Sequence, residues 1–210
     1  MLLSTQARIE SLLTTIDTLG MAKIKHLMQK HDLKSYRNAC RIVKQLEPYV
    51  HVALHYKEKV LYLNKHGREL IGSNKEVKKN SLIEHTLLAN EAYFYFNCPI
   101  DWKTEHVMEF VPVNPSGIVF NGMKLTGKKI VADAAFHRNG YLHLIEVDNT
   151  RSMIDNKKKI DTYADLWKEI RKQSVPILYI FTTNNERKKK FQSWLQEKNL
   201  HSQVMCFNEI

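Results

Sequence analysis

Cysteine is scarce in this 210-residue chain. Its three cysteines, Cys40, Cys98 and Cys206, lie far apart, form no CxxC pair and are odd in number. That argues against a disulfide framework and points to a reducing setting. No apolar run approaches the ~20 residues needed to cross a bilayer, so no membrane span is expected. The opening stretch MLLSTQARIE has no basic segment followed by an apolar one. No signal peptide is expected, and the chain is read as cytoplasmic. Walker loops, the GxSxG elbow and zinc-ligand spacings are also missing, so the common nucleotide-hydrolase, serine-hydrolase and zinc chemistries have no support.

Positive charge, by contrast, is in excess. The formal net charge is +10, with 32 Lys+Arg against 22 Asp+Glu. Residues 1–78 hold 14 basic against 7 acidic residues, and the remainder holds 18 against 15. An excess concentrated in one half suggests an acidic partner, with nucleic acid ahead of an anionic membrane surface. The length fits two small domains. The polar stretch 72–80, GSNKEVKKN, is the natural boundary, giving domains over 1–72 and 80–210.

In the first domain the spacing predicts a helix over 4–18, capped by Ser4 or Thr5, with Ile9, Leu12, Leu13 and Ile16 on one face and Gly20 as its stop. A second helix is expected over about 21–30. A third runs from a Ser35 cap to about Leu46, ended by Pro48. Its inward face is Ala39, Ile42, Val43 and Leu46; its outward face is Tyr36, Arg37, Asn38, Arg41, Lys44 and Gln45. A hairpin follows, with Val50 to Tyr56 alternating, a Lys57-Glu58-Lys59 tip and a Val60–Leu63 return. Three helices and a hairpin is the order of a winged helix-turn-helix domain. Arg, Asn and Gln on the third helix suit base edges in double-stranded DNA, and Lys57 and Lys59 suit phosphates. The same polar face also reads as merely solvated. A homodimer through Leu2, Leu3, Ile9, Leu12 and Leu13 is the expectation for a two-half-site reader, although these side chains can equally close the domain's own core.

In the second domain the pattern is α-β-β-β-α-β-α-β. A helix is expected over 81–97, strands over 102–111, 129–137 and 141–147, and an irregular stretch over 112–128. A helix over 152–173, a strand over 175–182, a helix over 186–198 and a strand over 203–207 complete it. Asn139-Gly140 marks a tight hairpin turn. The fold class is therefore α/β (α+β), a mixed sheet with helices on its faces. Asp133 interrupts an apolar strand, and Glu146 and Asp148 close the next one on a shared face. Three carboxylates brought together repel unless a cation compensates, and such hard oxygens suit Mg²⁺ or Mn²⁺. Lys159 and Tyr163, four apart on the following helix, share a face that can turn toward the carboxylates. Other readings stay open. Asp148-Asn149-Thr150 can cap that helix, His85 can be a core histidine, Glu84 and Glu91 read as surface charges, and Arg187-Lys188-Lys189-Lys190 reads as a solvated helix start.

The order Asp133, hairpin, Glu146-x-Asp148, then a helical Lys159 resembles the PD-(D/E)xK nuclease core, a restriction-endonuclease-like domain. Together with the N-terminal half and the stretches 83–87, 130–136, 144–150 and 159–163, the chain resembles the replication-relaxation family of plasmid and mobile-element proteins. The resemblance implies DNA binding in replication, relaxation or mobilisation, with replication or mobilisation proteins as partners. It also implies metal-dependent nicking by Asp133, Glu146, Asp148 and Lys159. One departure bears on the chemistry: Asp148 stands where the motif expects its lysine. The alternative is a winged-helix transcriptional regulator carrying an inactive nuclease-like domain.

Overall fold

Two sheets organise the chain, each in its own unit, Met1–Phe94 and Tyr95–Ile210. The computed structural model describes residues 4–78, 82–110 and 127–210. Among them it is mixed α+β, with seven α-helices, one three-stranded antiparallel sheet and one five-stranded mixed sheet. Leu2, Leu3, the helix start at residue 81, the strand end at 111 and most of the irregular stretch lie outside the described residues. No helix among the described residues is long and apolar enough to cross a membrane.

In the first unit α1 (Thr5–Leu19) begins where the Ser4 side chain accepts from the Ala7 amide at 3.1 Å. It ends at Gly20, whose φ of +72° a residue with a Cβ adopts only at a cost. Leu12, Leu13 and Ile16 are fully buried, so α1's apolar stripe is taken up by the unit's own core. A two-residue strand, β1 (Ala22–Lys23), precedes α2 (Ile24–His31). The spacing places residues 22 and 23 in that helix, but they pair with Val60 and Leu61 instead. After a short turn, Ser35 caps α3 (Tyr36–Lys44), whose inner face is Ala39, Ile42 and Val43. The helix stops two residues earlier than its apolar spacing suggests, and Leu46 is buried just beyond it.

The hairpin is β2 (Val50–His55) and β3 (Glu58–Leu63), in the order β1-β3-β2. Its tip is Tyr56-Lys57, both at positive φ; Glu58 and Lys59 already pair as strand residues with His55 and Leu54. α4 (Lys65–Ile71) is capped by Asn64. A Cβ on Gly67 would stand 2.2 Å from the Tyr49 carbonyl oxygen, so only glycine fits this close approach. α5 (Ile83–Tyr95) adds Ile83 and Leu87 to a cluster with Met21 and Val60 and closes the unit.

The second unit is a sheet in sequential order: β4 (Lys103–Phe110), β5 (Lys128–Arg138), β6 (Tyr141–Asp148), β7 (Val175–Thr182) and β8 (Ser202–Cys206). β4, β5 and β6 are antiparallel, whereas β6, β7 and β8 are parallel. The parallel pairs need crossovers, supplied by α6 (Met153–Gln173) and α7 (Asn185–Glu197). Asn139 and Gly140, both at positive φ, make the β5–β6 turn. Ile130, Leu144, Ile160, Leu166, Leu178, Ile180, Phe191 and Leu195 form the core between sheet and helices.

Candidate functional site

Two groups of side chains stand out, one in each unit. In the first, Tyr36, Arg37, Arg41, Lys44 and Gln45 are exposed along and just past α3, and Lys57 and Lys59 are exposed on the hairpin. Asn38 differs from its expected neighbours. It is half-buried, donates to the Leu33 carbonyl at 3.0 Å and accepts from Arg41 at 3.0 Å, so its amide fixes the turn and steadies Arg41. Gln45 accepts from Arg8 at 3.1 Å. The Tyr36 phenol is pushed up, first by its hydrogen bond to Cys40, with Glu58 of the hairpin adding to the effect. The start of α3 and the hairpin are therefore within electrostatic reach of each other.

The charges in this unit sort into two sets. Lys23 pairs with Glu58, Lys25 with Glu91, Lys34 with Asp32 and Lys65 with Glu69. Arg37, Arg41, Lys44, Lys57 and Lys59 form no ion pair among the described residues and stand in solvent. Glu91, read from the sequence as a surface charge, is instead clamped by Lys25 and His26. Lys25 is at 2.5 Å, and the buried His26, which stacks on Phe94, is at 3.2 Å. Burial alone would raise its pKa, but hydrogen bonds to His26 and Lys25 outweigh that and hold it at about 2.

In the second unit the site forms where two strands part. The β5–β6 ladder runs from Arg138–Tyr141 to Ala134–Ile145, and the next residues inward are Asp133 and Glu146. Asp133 uses its side chain where the ladder has stopped: Oδ2 accepts from the Val147 amide at 2.7 Å. On the other side of β5, Glu105 of β4 has φ +51° between pairs that flank Asp133. Lys159 lies two turns into α6, which Ser152 caps. Its ammonium contacts Glu146 Oε2 and lies 4.0 Å from Asp133 Oδ1. Tyr163, one turn further on, is fully buried and donates to Glu146 Oε1 at 2.6 Å. Burial, with the Asp133 charge beside it, pushes Glu146 up to about 7 despite Lys159 and Tyr163. Burial and the Glu146 charge raise Tyr163 well above its usual range, so the phenol stays a proton donor.

Asp148 does not join this pair. It shares a face with Glu146 but lies two residues, about 6.6 Å, further along the strand. There it meets a different set of partners. Arg187, at the start of α7, binds it through Nε and Nη2, both at 2.5 Å. Asn156 donates at 2.7 Å and Thr182 at 2.9 Å. Arg187 also donates to the Arg151 carbonyl at 2.6 Å, so one guanidinium ties together β6, the segment after it and α7. Its pKa is raised by the Asp148 hydrogen bonds. Sequence reasoning missed Arg187, Asn156 and Thr182. The basic run at 187–190 reads as a solvated helix start, and the 39 positions that separate Arg187 from Asp148 leave no local pattern.

The chemistry open to these groups follows from their partners. A Mg²⁺ or Mn²⁺ centre needs several hard oxygens turned toward one point. Asp133 and Glu146 converge, but a lysine ammonium sits against them. Asp148 is committed through both oxygens to Arg187, Asn156 and Thr182. Among the described residues no three His, Cys, Asp or Glu side chains are placed to hold a metal ion. The three-carboxylate set does not fit the ion as the chain is folded. Glu146, Asp148, Asn156, Lys159 and Tyr163 line a small cleft with Arg151, Ile160, Ile180 and Phe191.

A family model described as replication-relaxation matches residues 5–176, spanning the first unit and the second as far as the opening of β7. No curated protein and no solved structure gives a significant match. The match takes in α3, the hairpin, Asp133, Glu146, Asp148 and Lys159 alike, and the chain belongs to the replication-relaxation family.

Proposed function

We propose that this chain is a double-stranded DNA-binding protein acting in the replication, relaxation or mobilisation of a plasmid or mobile element, and that its first unit is a winged helix-turn-helix domain. One observation carries the reading. Arg37, Arg41, Lys44, Lys57 and Lys59 form no ion pair among the described residues, while Lys23, Lys25, Lys34, Lys65 and Lys78 of the same unit pair with carboxylates. Cations kept solvent-facing and unpaired are what a polyanion releases counter-ions to meet. The element order α2, turn, α3, hairpin supports α3 as the helix that enters a major groove, with the hairpin as its wing. Arg37 and Arg41 then read base edges, with Arg41 held in place by Asn38. Lys44, Lys57 and Lys59 meet phosphates.

The second unit resembles a nuclease core whose lysine position is taken by Asp148 and whose carboxylates are neutralised internally by Lys159 and Arg187. It serves in this reading as the scaffold through which replication or mobilisation proteins are met. The test is binding of the full chain to duplex DNA, with the Arg37→Ala, Arg41→Ala double variant beside wild type. The variant should lose about 1–3 kcal/mol per base-reading side chain. Equal binding by both proteins would refute the assignment of α3.

A further inference from the structure

We infer that the Lys159 ammonium is the resident cation of the Asp133–Glu146 pair, filling the point at which a divalent metal would have to sit, so that the wild-type protein holds no Mg²⁺ or Mn²⁺ there. The geometry of the four carboxylate oxygens makes the case. One oxygen of each carboxylate is fixed by a donor of the chain: Asp133 Oδ2 by the Val147 amide at 2.7 Å and Glu146 Oε1 by the Tyr163 hydroxyl at 2.6 Å. The other two, Asp133 Oδ1 and Glu146 Oε2, are the ones Lys159 reaches. The pair therefore offers one oxygen each to a common point, and the cation at that point comes from α6.

Lys159 is built into this place. Its side chain is 18% exposed, beside carboxylates that are 15% and 8% exposed, so the three charges are largely withdrawn from solvent. Tyr163, on the same helix face, holds the opposite edge of Glu146. A divalent ion arriving at this point would meet the ammonium's like charge. It would also need further oxygens, and the other carboxylate on this face of β6, Asp148, is held by Arg187. This inference concerns the second unit alone and stands or falls independently of DNA binding by the first.

The experiment uses the full chain and Mn²⁺, with bound ion read by electron paramagnetic resonance and the thermal midpoint measured with and without the ion. Wild type is expected to show no Glu146-dependent Mn²⁺ binding and an unmoved midpoint. Lys159→Ala and Lys159→Gln are expected to lower the midpoint and to bind Mn²⁺ at least about tenfold more tightly than wild type. Added Mn²⁺ should restore part of the lost midpoint, and adding Glu146→Gln should erase both effects. Binding by wild type that Glu146→Gln removes would overturn the inference. So would Lys159 variants that bind Mn²⁺ no better than wild type. Failure of both variants to fold even with Mn²⁺ would also contradict it, because an ion at the same point should replace the missing charge.

Discussion

In the first unit, Arg37, Arg41, Lys44, Lys57 and Lys59 form no ion pair among the described residues; in the second, Lys159, Arg187, Lys188 and Lys198 each hold a carboxylate. The two units also place a glutamate against cations with opposite results. Glu91 has Lys25 and His26 against it and is held at about 2. Glu146 has one lysine, a neighbouring Asp133 and little exposure to solvent, and is pushed up to about 7. The balance of local charge and solvent, more than the presence of a partner, decides the sign. The comparison separates cations tied to carboxylates of the fold from cations that face solvent.

The sharpest way to break this contrast is to remove one cation of each kind. Arg187→Ala leaves Asp148, whose side chain is 2% exposed, without its two shortest hydrogen bonds. A loss of about 3–5 kcal/mol is expected in urea denaturation. Arg37→Ala with Arg41→Ala should change stability by no more than about 0.5 kcal/mol per exposed site. Comparable losses for the two would show that the exposed cations are structural after all.

The two glutamates give the next largest effect. The native state keeps the Glu146 proton up to about 7, whereas the unfolded chain releases it near the usual 4.5. Between those values the native state binds more protons, so stability falls as pH rises, by at most about 1.4 kcal/mol per unit, and levels off above pH 7. Glu146→Gln should flatten that window. Glu91 has the opposite sign: its contribution is present above the usual 4.5 and is lost as pH falls toward 2. Stability measured from pH 3 to 8 with Glu146→Gln and Glu91→Gln would resolve both, and a Glu146→Gln profile parallel to wild type would contradict the first.

The smallest effect is at the hairpin tip. Tyr56 and Lys57 hold φ of +47° and +67°, a conformation that suits Asn-Gly far better. Tyr56→Asn with Lys57→Gly should stabilise the first unit by about 1 kcal/mol. If the hairpin is the proposed wing, the same change should also weaken DNA binding, because the Lys57 charge is gone. A more stable variant with unchanged affinity would remove the hairpin from the interface.

Much of this was legible in the sequence where the signal is local. Asn139-Gly140 marked the β5–β6 turn, Ser4 and Ser35 marked helix starts, and the spacing of Lys159 and Tyr163 put them on one face of the helix, turned toward the carboxylates. Glu146 and Asp148 do share a strand face, but period two says nothing about where the neighbouring strand leaves. Because β5 parts from β6 at Asp133, only Glu146 meets it. β1 has too few residues to carry a period. The clamps on Glu91 and Asp148 join residues 65 and 39 positions apart, which no window along the chain connects. Asn38 was legible as a polar residue on α3 but not as one already committed to Leu33.

The central claim is that the unpaired cations of the first unit meet DNA phosphates, and the salt dependence of duplex binding tests it most directly. Affinity for a duplex should fall linearly with salt on a log–log scale, with a slope of about −0.9 per phosphate contact. Lys57→Ala with Lys59→Ala should flatten that slope by about 1.8 without altering stability, if each lysine makes one contact. A wild-type slope near zero, or one that these substitutions leave unchanged, would contradict the account.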